Sequence, residues 1–375
     1  MILYILLYIF IFCAAFVFDF VGKGRSRHYL SVYKMLYCFL AFLVAFRYGV
    51  GSDTPEYMLM FDLTPDLAHL SYDDFESFRS QPLFVVFCSL CKTISSNFLI
   101  LQLLQAILFY HSFYLLTKTL KLRKFYLLIV FYGYVYFQEQ SAMRECFGLS
   151  FCFYALYGYI KNRKLWRYYL FVIFGFLCHS SMVFFCFVPL VRVMNKLNLK
   201  NTIIVVVVVA LFVILLYKAQ DFLLLIGDSS ISRYGAEEGA SLKLSTFIFS
   251  SVLFVAWYYC CVKNKTDDHP EFIYLGLLYV LFELVGALFL PIMYRFTAHL
   301  CIFYFYCLHI IIHRLSTRSV LSYICLMFVF YTPMVRFSTG IKVDPSLEYC
   351  SVFSFDKSYQ EKRIKDADGS DMFKL

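Results

Sequence analysis

Apolar residues fall in long runs broken by short polar stretches. The runs cover residues 2–18, 29–46, 82–91, 98–116, 125–138, 146–160, 168–190, 202–217, 244–262, 271–290, 296–313 and 319–335. A helix that crosses the hydrocarbon core needs roughly 20 residues. The pattern therefore predicts an all-α, polytopic transmembrane helical bundle of about 11–12 apolar segments, some of them re-entrant. Residues 1–335 read as a single multi-spanning membrane domain with an outward loop at 47–81 and a second at 218–243. Residues 336–375 read as a polar C-terminal tail. No internal repeat, low-complexity linker or soluble domain stands out.

Composition sharpens this picture. Hydrophobic residues make up 61% of the 375 positions and charged residues 16%, whereas a soluble domain is about half apolar and a quarter charged. A soluble fold of this length has no way to hide so much apolar surface. The net charge of +9 lacks the concentrated basic face that nucleic-acid binding needs, and so reports topology. Fourteen cysteines are scattered, most of them inside apolar runs, and read as small packing residues. Cys88 and Cys91 form CSLC, but no second pair or histidine follows at zinc spacing, so no metal and no cofactor is expected. The opening MILYILLYIFIFCAAFVF lacks a basic n-region and a small-x-small cleavage site, so it reads as a retained span.

Lysine and arginine in short loops set the orientation. Lys23, Arg25 and Arg27 make the first loop cytoplasmic. Two later loops are strongly basic: Lys118, Lys121, Arg123 and Lys124, then Lys161, Arg163, Lys164 and Arg167. If 82–91 and 168–190 each crossed once, both would land outside. An interfacial or re-entrant 82–91 repairs this, together with a segment 168–190 that enters, breaks near His179 and returns. Broken backbone at that depth must be buried in protein or line a wet cavity.

Ionisable groups at the outer edge of such a bundle are the candidates for chemistry. The first cluster is Arg47-Tyr48-Gly49-Val50-Gly51-Ser52-Asp53-Thr54-Pro55-Glu56-Tyr57. Its glycines permit a tight path, Pro55 can open a helical turn, and Asp53 or Thr54 can cap it. This holds an arginine and a carboxylate near each other. Its ordinary reading is a helix cap with a snorkelling arginine. The others are Arg144 in Gln138–Glu145, the His179-Ser180-Ser181 break, Arg233-Tyr234-Gly235 with Glu237 and Glu238, and Arg295 after Pro291. Each also reads as a loop or a packed polar residue. Four arginines (Arg47, Arg144, Arg233 and Arg295) on the outer side run against the positive-inside rule. They point to an anion, for which the guanidinium fork is suited. The 21% aromatic content, with 32 tyrosines, suits interfacial belts and sugar stacking.

The order of these motifs resembles the EpsG family of bacterial exopolysaccharide proteins, which is similar to Wzy-type polysaccharide polymerases. The family pattern R-x-x-x-G-x-D-Y-x-x-Y is matched by Arg47 to Tyr57. An arginine opening a helix, a basic loop and a helix ending in F-H-x-S follow as Arg144, KNRKLWR and Leu177-Cys178-His179-Ser180-Ser181. Arg233-Tyr234 and Arg295-Phe296 complete the order. Two positions depart: Thr54 and Pro55 stand after Asp53, and Gln81-Pro82 replaces a glutamate.

The resemblance implies a multi-pass protein of the bacterial inner (cytoplasmic) membrane. Its substrate would be an undecaprenyl-diphosphate-linked oligosaccharide from exopolysaccharide, capsule or O-antigen synthesis. The growing glycan would pass from its diphosphate to an acceptor unit on the outer face. Arg144, Arg295 and Arg47 would hold the anion, with Tyr57 and Arg233 also in the substrate site. Asp53 or His179 would serve as base. Membrane lipid, a chain-length regulator and a flippase are the expected partners, and nucleic acid is not. A lipid-linked sugar flippase, a glycan O-acyltransferase and a structural assembly subunit are the alternative classes. The missing repeat counts against transport, and the lone His179 gives an acyltransferase little to work with.

Overall fold

The structure is a computed structural model of the chain. It describes residues 2–21, 27–77, 81–120, 125, 128, 132, 141–191, 200–208, 211, 244–263, 269–288, 293–315, 346, 349–354 and 356–368. The statements below concern these. Loop 218–243, with Arg233, lies outside the described residues, as do most of run 125–138, all of run 319–335 and the side chain of Arg295.

The described chain is helical, with no strand and one isolated backbone bridge, Arg47 to Ser351. The helices are α1 (Ile2–Ala14), α2 (Tyr29–Ala45), α3 (Thr54–Leu63), α4 (Tyr72–Ser77), α5 (Pro82–Ile94), α6 (Leu99–Thr119), α7 (Met143–Asn162) and α8 (Leu165–Cys178). They continue as α9 (Val188–Val191), α10 (Leu244–Trp257), α11 (Pro270–Leu288), α12 (Met293–Leu315) and α13 (Ser358–Asp368). Two helical stretches are long and apolar enough to cross a membrane, Leu3–Val21 and Leu99–Thr119. Shorter apolar helices lie at Tyr29–Ala45, Pro82–Ile94, Leu165–Cys178, Ser250–Val262 and His299–Ile311. The all-α class expected from the runs holds, while most described helices fall short of full spanning length. Proline at the first turn starts both α3 and α5, where its missing N–H costs nothing.

The chain forms two compact units, Met1–Cys186 with Met327–Leu375, and Phe187–Leu326. In the second, α11 packs closely on α12. A Cβ at Gly276 would sit 2.4 Å from Cys307 Sγ and 2.8 Å from the Phe303 carbonyl oxygen. Trp257 Nε1 donates to the Ile273 carbonyl at 3.0 Å, and Tyr279 stacks on Tyr304 at 4.2 Å.

In the first unit, contacts along the helices settle their directions. Tyr33 and Tyr37, early in α2, reach Thr117 near the end of α6 at 2.9 and 3.3 Å. Arg47, past the end of α2, reaches Gln105 early in α6 at 2.7 Å. So α2 and α6 are antiparallel. Phe109 and Phe113 of α6 both meet Phe153 of α7, and His111 pairs with Tyr154 at 2.7 Å. Leu101, near the start of α6, shares a core with Met143, which opens α7. So α6 and α7 are parallel. Tyr4 meets Tyr349, whose hydroxyl donates to the Leu43 carbonyl late in α2. Phe18 meets Tyr29 at the start of α2. So α1 is antiparallel to α2.

Asp19 ties this corner together. It lies fully buried in a π-helical continuation of α1, Ala15–Val21. Its carboxylate accepts the Tyr29 hydroxyl at 2.6 Å and the Phe125 N–H at 2.8 Å, which meets the requirement that a buried polar group be bonded.

Two ends emerge. Arg27, Lys118, Lys161, Arg163, Lys164 and Arg167 gather at one, where Arg163 reverses the chain in the left-handed conformation (φ 52°). The 47–57 turn, the start of α7 and the end of α8 lie at the other. The two basic loops thus leave from the same end, the arrangement that the charge pattern requires. Segment 168–190 also breaks as expected. The α-helix stops at Cys178, His179 is extended, and a 3₁₀ helix spans Ser180–Phe187. Tyr168 donates to the Phe185 carbonyl at 2.6 Å, so the 3₁₀ segment runs back along α8.

Candidate functional site

The site begins where α2 ends. Arg47 is fully buried. Its guanidinium donates to the Val44 carbonyl at 2.6 Å and to Gln105 Oε1 at 2.7 Å. Its backbone neighbours pair with the C-terminal segment: Tyr48 N–H donates to the Cys350 carbonyl at 2.8 Å, and Val352 N–H to that of Phe46 at 3.0 Å. The sequence places Arg47 at an outer surface beside Asp53. The structure turns its side chain inward to α6, where the guanidinium finds the Val44 carbonyl and the Gln105 amide oxygen.

Gly49 (φ 61°) and Gly51 (φ 107°) then bend the chain through the left-handed region, which a side chain rarely adopts. Gly51 N–H donates to the Ser346 carbonyl at 3.0 Å, and Thr54 Oγ1 to that of Val50 at 2.5 Å. This turn delivers Asp53 to the start of α3. Asp53 occupies the N-cap position but makes no side-chain cap bond. Its backbone is already helical (φ −90°, ψ −5°), so the carboxylate does not reach back to the first-turn amides. It accepts the Ser52 hydroxyl at 2.9 Å instead and stays partly open to solvent.

One helical turn on, Tyr57 is buried in a core that includes Phe84, Met143, Phe147 and Cys178. Arg144 comes from the first turn of α7. Its Nε donates to the Tyr57 hydroxyl at 3.4 Å, and its guanidinium lies 5.6 Å from the centre of that ring. Burial pushes the Tyr57 hydroxyl pKa up, and Arg144 pulls partly against it. Glu56 shares this neighbourhood. Partial burial, then the Asp53 charge, raises its carboxyl above the ordinary value, and Arg144 opposes both. Ser52 N–H also reaches Ser141 Oγ at 3.4 Å, joining the turn to the residues that open α7. A cation in the first turn of a 20-residue helix faces the positive end of the helix dipole, a placement that suits an anion.

His179 arrives by a separate route. A Cβ at Gly148 of α7 would stand 3.1 Å from the Gly175 carbonyl oxygen, and one at Gly175 would stand 3.0 Å from that of Gly148. These two glycines let α7 and α8 touch backbone to backbone. Arg144 precedes Gly148 by four residues and His179 follows Gly175 by four. The helices are antiparallel, so both side chains start about 6 Å past the crossing, at the same end. His179 N–H still bonds the Gly175 carbonyl at 2.9 Å, and its Nδ1 pairs with Ser181 Oγ. Its neighbour Cys178 packs in the same core as Tyr57 and Met143.

The fold therefore brings Asp53, Glu56, Tyr57, Arg144 and His179 to one end of one unit. Arg47 sits beneath them with its side chain engaged elsewhere. Sequence reasoning missed Gln105, and gave no role to Ser141 and Glu56, which lie inside the two clusters it singled out. Only Glu56 carried a signal, three positions from Asp53 and so on the same helix face.

A helical, strongly apolar chain with cations, carboxylates and an imidazole gathered at one end of one unit fits a membrane protein. The chain belongs to the EpsG family, whose model matches residues 30–351, and that membership makes it a membrane protein of polysaccharide biosynthesis. That span runs from α2 to the residue that bridges Arg47. No curated protein and no solved structure matches the chain.

Proposed function

We propose that this protein is a multi-pass enzyme of the bacterial inner membrane that polymerises lipid-linked oligosaccharide repeat units on the outer face. What supports the reading is the meeting of Asp53, Tyr57, Arg144 and His179 at the end of the bundle opposite the basic loops. The positive-inside rule makes that end the outer one.

The reaction is a glycosyl transfer. An acceptor hydroxyl gives up its proton as its oxygen bonds to the anomeric carbon of the growing glycan. The bond from that carbon to the diphosphate oxygen breaks, and the electron pair leaves with undecaprenyl diphosphate. The leaving group gathers negative charge, and Arg144 at the α7 N-terminus is the cation placed to meet it. Asp53 and His179 are the two candidate bases. Both are half-buried. His179 is backed by Ser181, which fixes its ring. Arg47 acts from beneath by tying the end of α2 to α6. The resemblance also assigns Arg233 and Arg295 to substrate; neither side chain is among those described.

The test is the size distribution of surface glycan and of lipid-linked precursor in a strain lacking the protein. Single repeat units should accumulate on lipid at the outer face. Wild type should restore long chains, and Arg144→Ala should not, with turnover down by about 10²–10³-fold. Unchanged chain length without the protein sinks the reading. Repeat units trapped on the inner face mean a flippase, and long but unacylated chains mean an acyltransferase.

A further inference from the structure

The Asp53 turn is held from a distant part of the chain. Helix α13 packs on α3, and its Arg363 points into the turn. One guanidinium nitrogen donates to the Gly49 carbonyl at 2.9 Å and to Gln360 Oε1 at 2.7 Å. The other donates to the carbonyls of Gly51 at 2.9 Å and Ser52 at 3.2 Å. Gln360 closes the other side, since a Cβ on Gly49 would stand 3.0 Å from its Cβ. Lys357 Nζ donates to the Val352 carbonyl at 2.8 Å and lies 5.1 Å from the centre of the Tyr48 ring. Arg363 lies beyond the span that the family model matches.

We propose that Arg363 is a positioning residue: by gathering the carbonyls of Gly49, Gly51 and Ser52 on one guanidinium, α13 sets where Asp53 stands relative to Arg144 and His179. Two glycines at positive φ give the turn many alternative paths. A planar fork with five donors selects one of them, because its bonds are satisfied together only when the carbonyls converge. An ammonium has no such fork. The helix therefore acts on the site without touching substrate. This inference rests on the polymerase reading for its effect on glycan, but the clamp itself does not.

Two measurements on the full-length protein test it. The first is amide hydrogen exchange in detergent micelles for wild type, Arg363→Ala and Arg363→Lys. In Arg363→Ala the amides of Tyr48, Gly51 and Thr54 should exchange at least about tenfold faster, a local loss of about 1.4 kcal/mol. Those of α7 and α8 should stay as in wild type. Arg363→Lys should fall between the two. The second is glycan length in cells, where Arg363→Ala should shorten the chains and Arg363→Lys should partly restore them at equal protein level. Unchanged exchange in the turn overturns the clamp. Faster exchange with full-length glycan, while Arg144→Ala shortens it, overturns the positioning role and leaves the polymerase reading standing. Full-length glycan in Arg144→Ala as well removes both. Should Arg363→Ala fail to fold, Arg363→Lys carries the same comparison.

Discussion

Gly175→Ala and Gly158→Ala place the same methyl group on the same pair of helices and should have opposite effects. In a helix interior, replacing glycine by alanine removes a backbone entropy cost of about 0.5–1 kcal/mol. A Cβ on Gly158 meets nothing within 4 Å, so that gain should appear undiminished. A Cβ on Gly175 meets Cys152 Sγ at 3.0 Å and the Gly148 carbonyl oxygen at 3.0 Å. Backbone yields only if the helices part. Overpacking of this kind costs about 1–3 kcal/mol, so the net change should be a loss of about 1 kcal/mol. The assay is thermal unfolding of the full chain in detergent, followed by tryptophan fluorescence and circular dichroism. Parting α7 from α8 also moves Arg144 away from His179, so Gly175→Ala should shorten glycan while Gly158→Ala leaves it long. If both variants shift stability in the same direction by the same amount, the close crossing is not what places His179.

Two further outcomes follow from the site. The Glu56 carboxyl is raised in the folded protein, so its favourable contribution is complete below the unfolded carboxylate range and lost as pH climbs through the folded value. Glu56→Gln should therefore gain stability relative to wild type between acid and neutral pH, read as a pH-dependent difference in unfolding midpoint, and a constant difference refutes this. Gln105→Leu should cost about 1.5–3 kcal/mol, the worth of a bond to a charged group, because it strips the buried Arg47 guanidinium of its bond to Gln105. An unfolding midpoint equal to wild type would show that Arg47 does not depend on α6.

The amino-acid sequence by itself determined the all-α class of this protein and the positions of most of its described helices. Long apolar runs leave water as helices whatever their neighbours, and Pro55, Pro82 and His179 mark starts and stops through local backbone chemistry. Even the reversal after His179 was legible, because two basic loops had to share an end. What only the tertiary structure decided is which side chains meet. Arg47 reads as partner to Asp53, six positions away, yet it turns to Gln105, 58 positions away. Residues 336–375 read as a polar tail, yet Arg363 grips the Gly49–Ser52 turn from more than 300 positions away. Gly148 and Gly175 look like unremarked helix residues until the helices cross. Periodicity and caps act over a few residues, so they are written locally. The partner of a buried charge is whichever carbonyl the packed helices bring within 3 Å of it, and no local pattern records that.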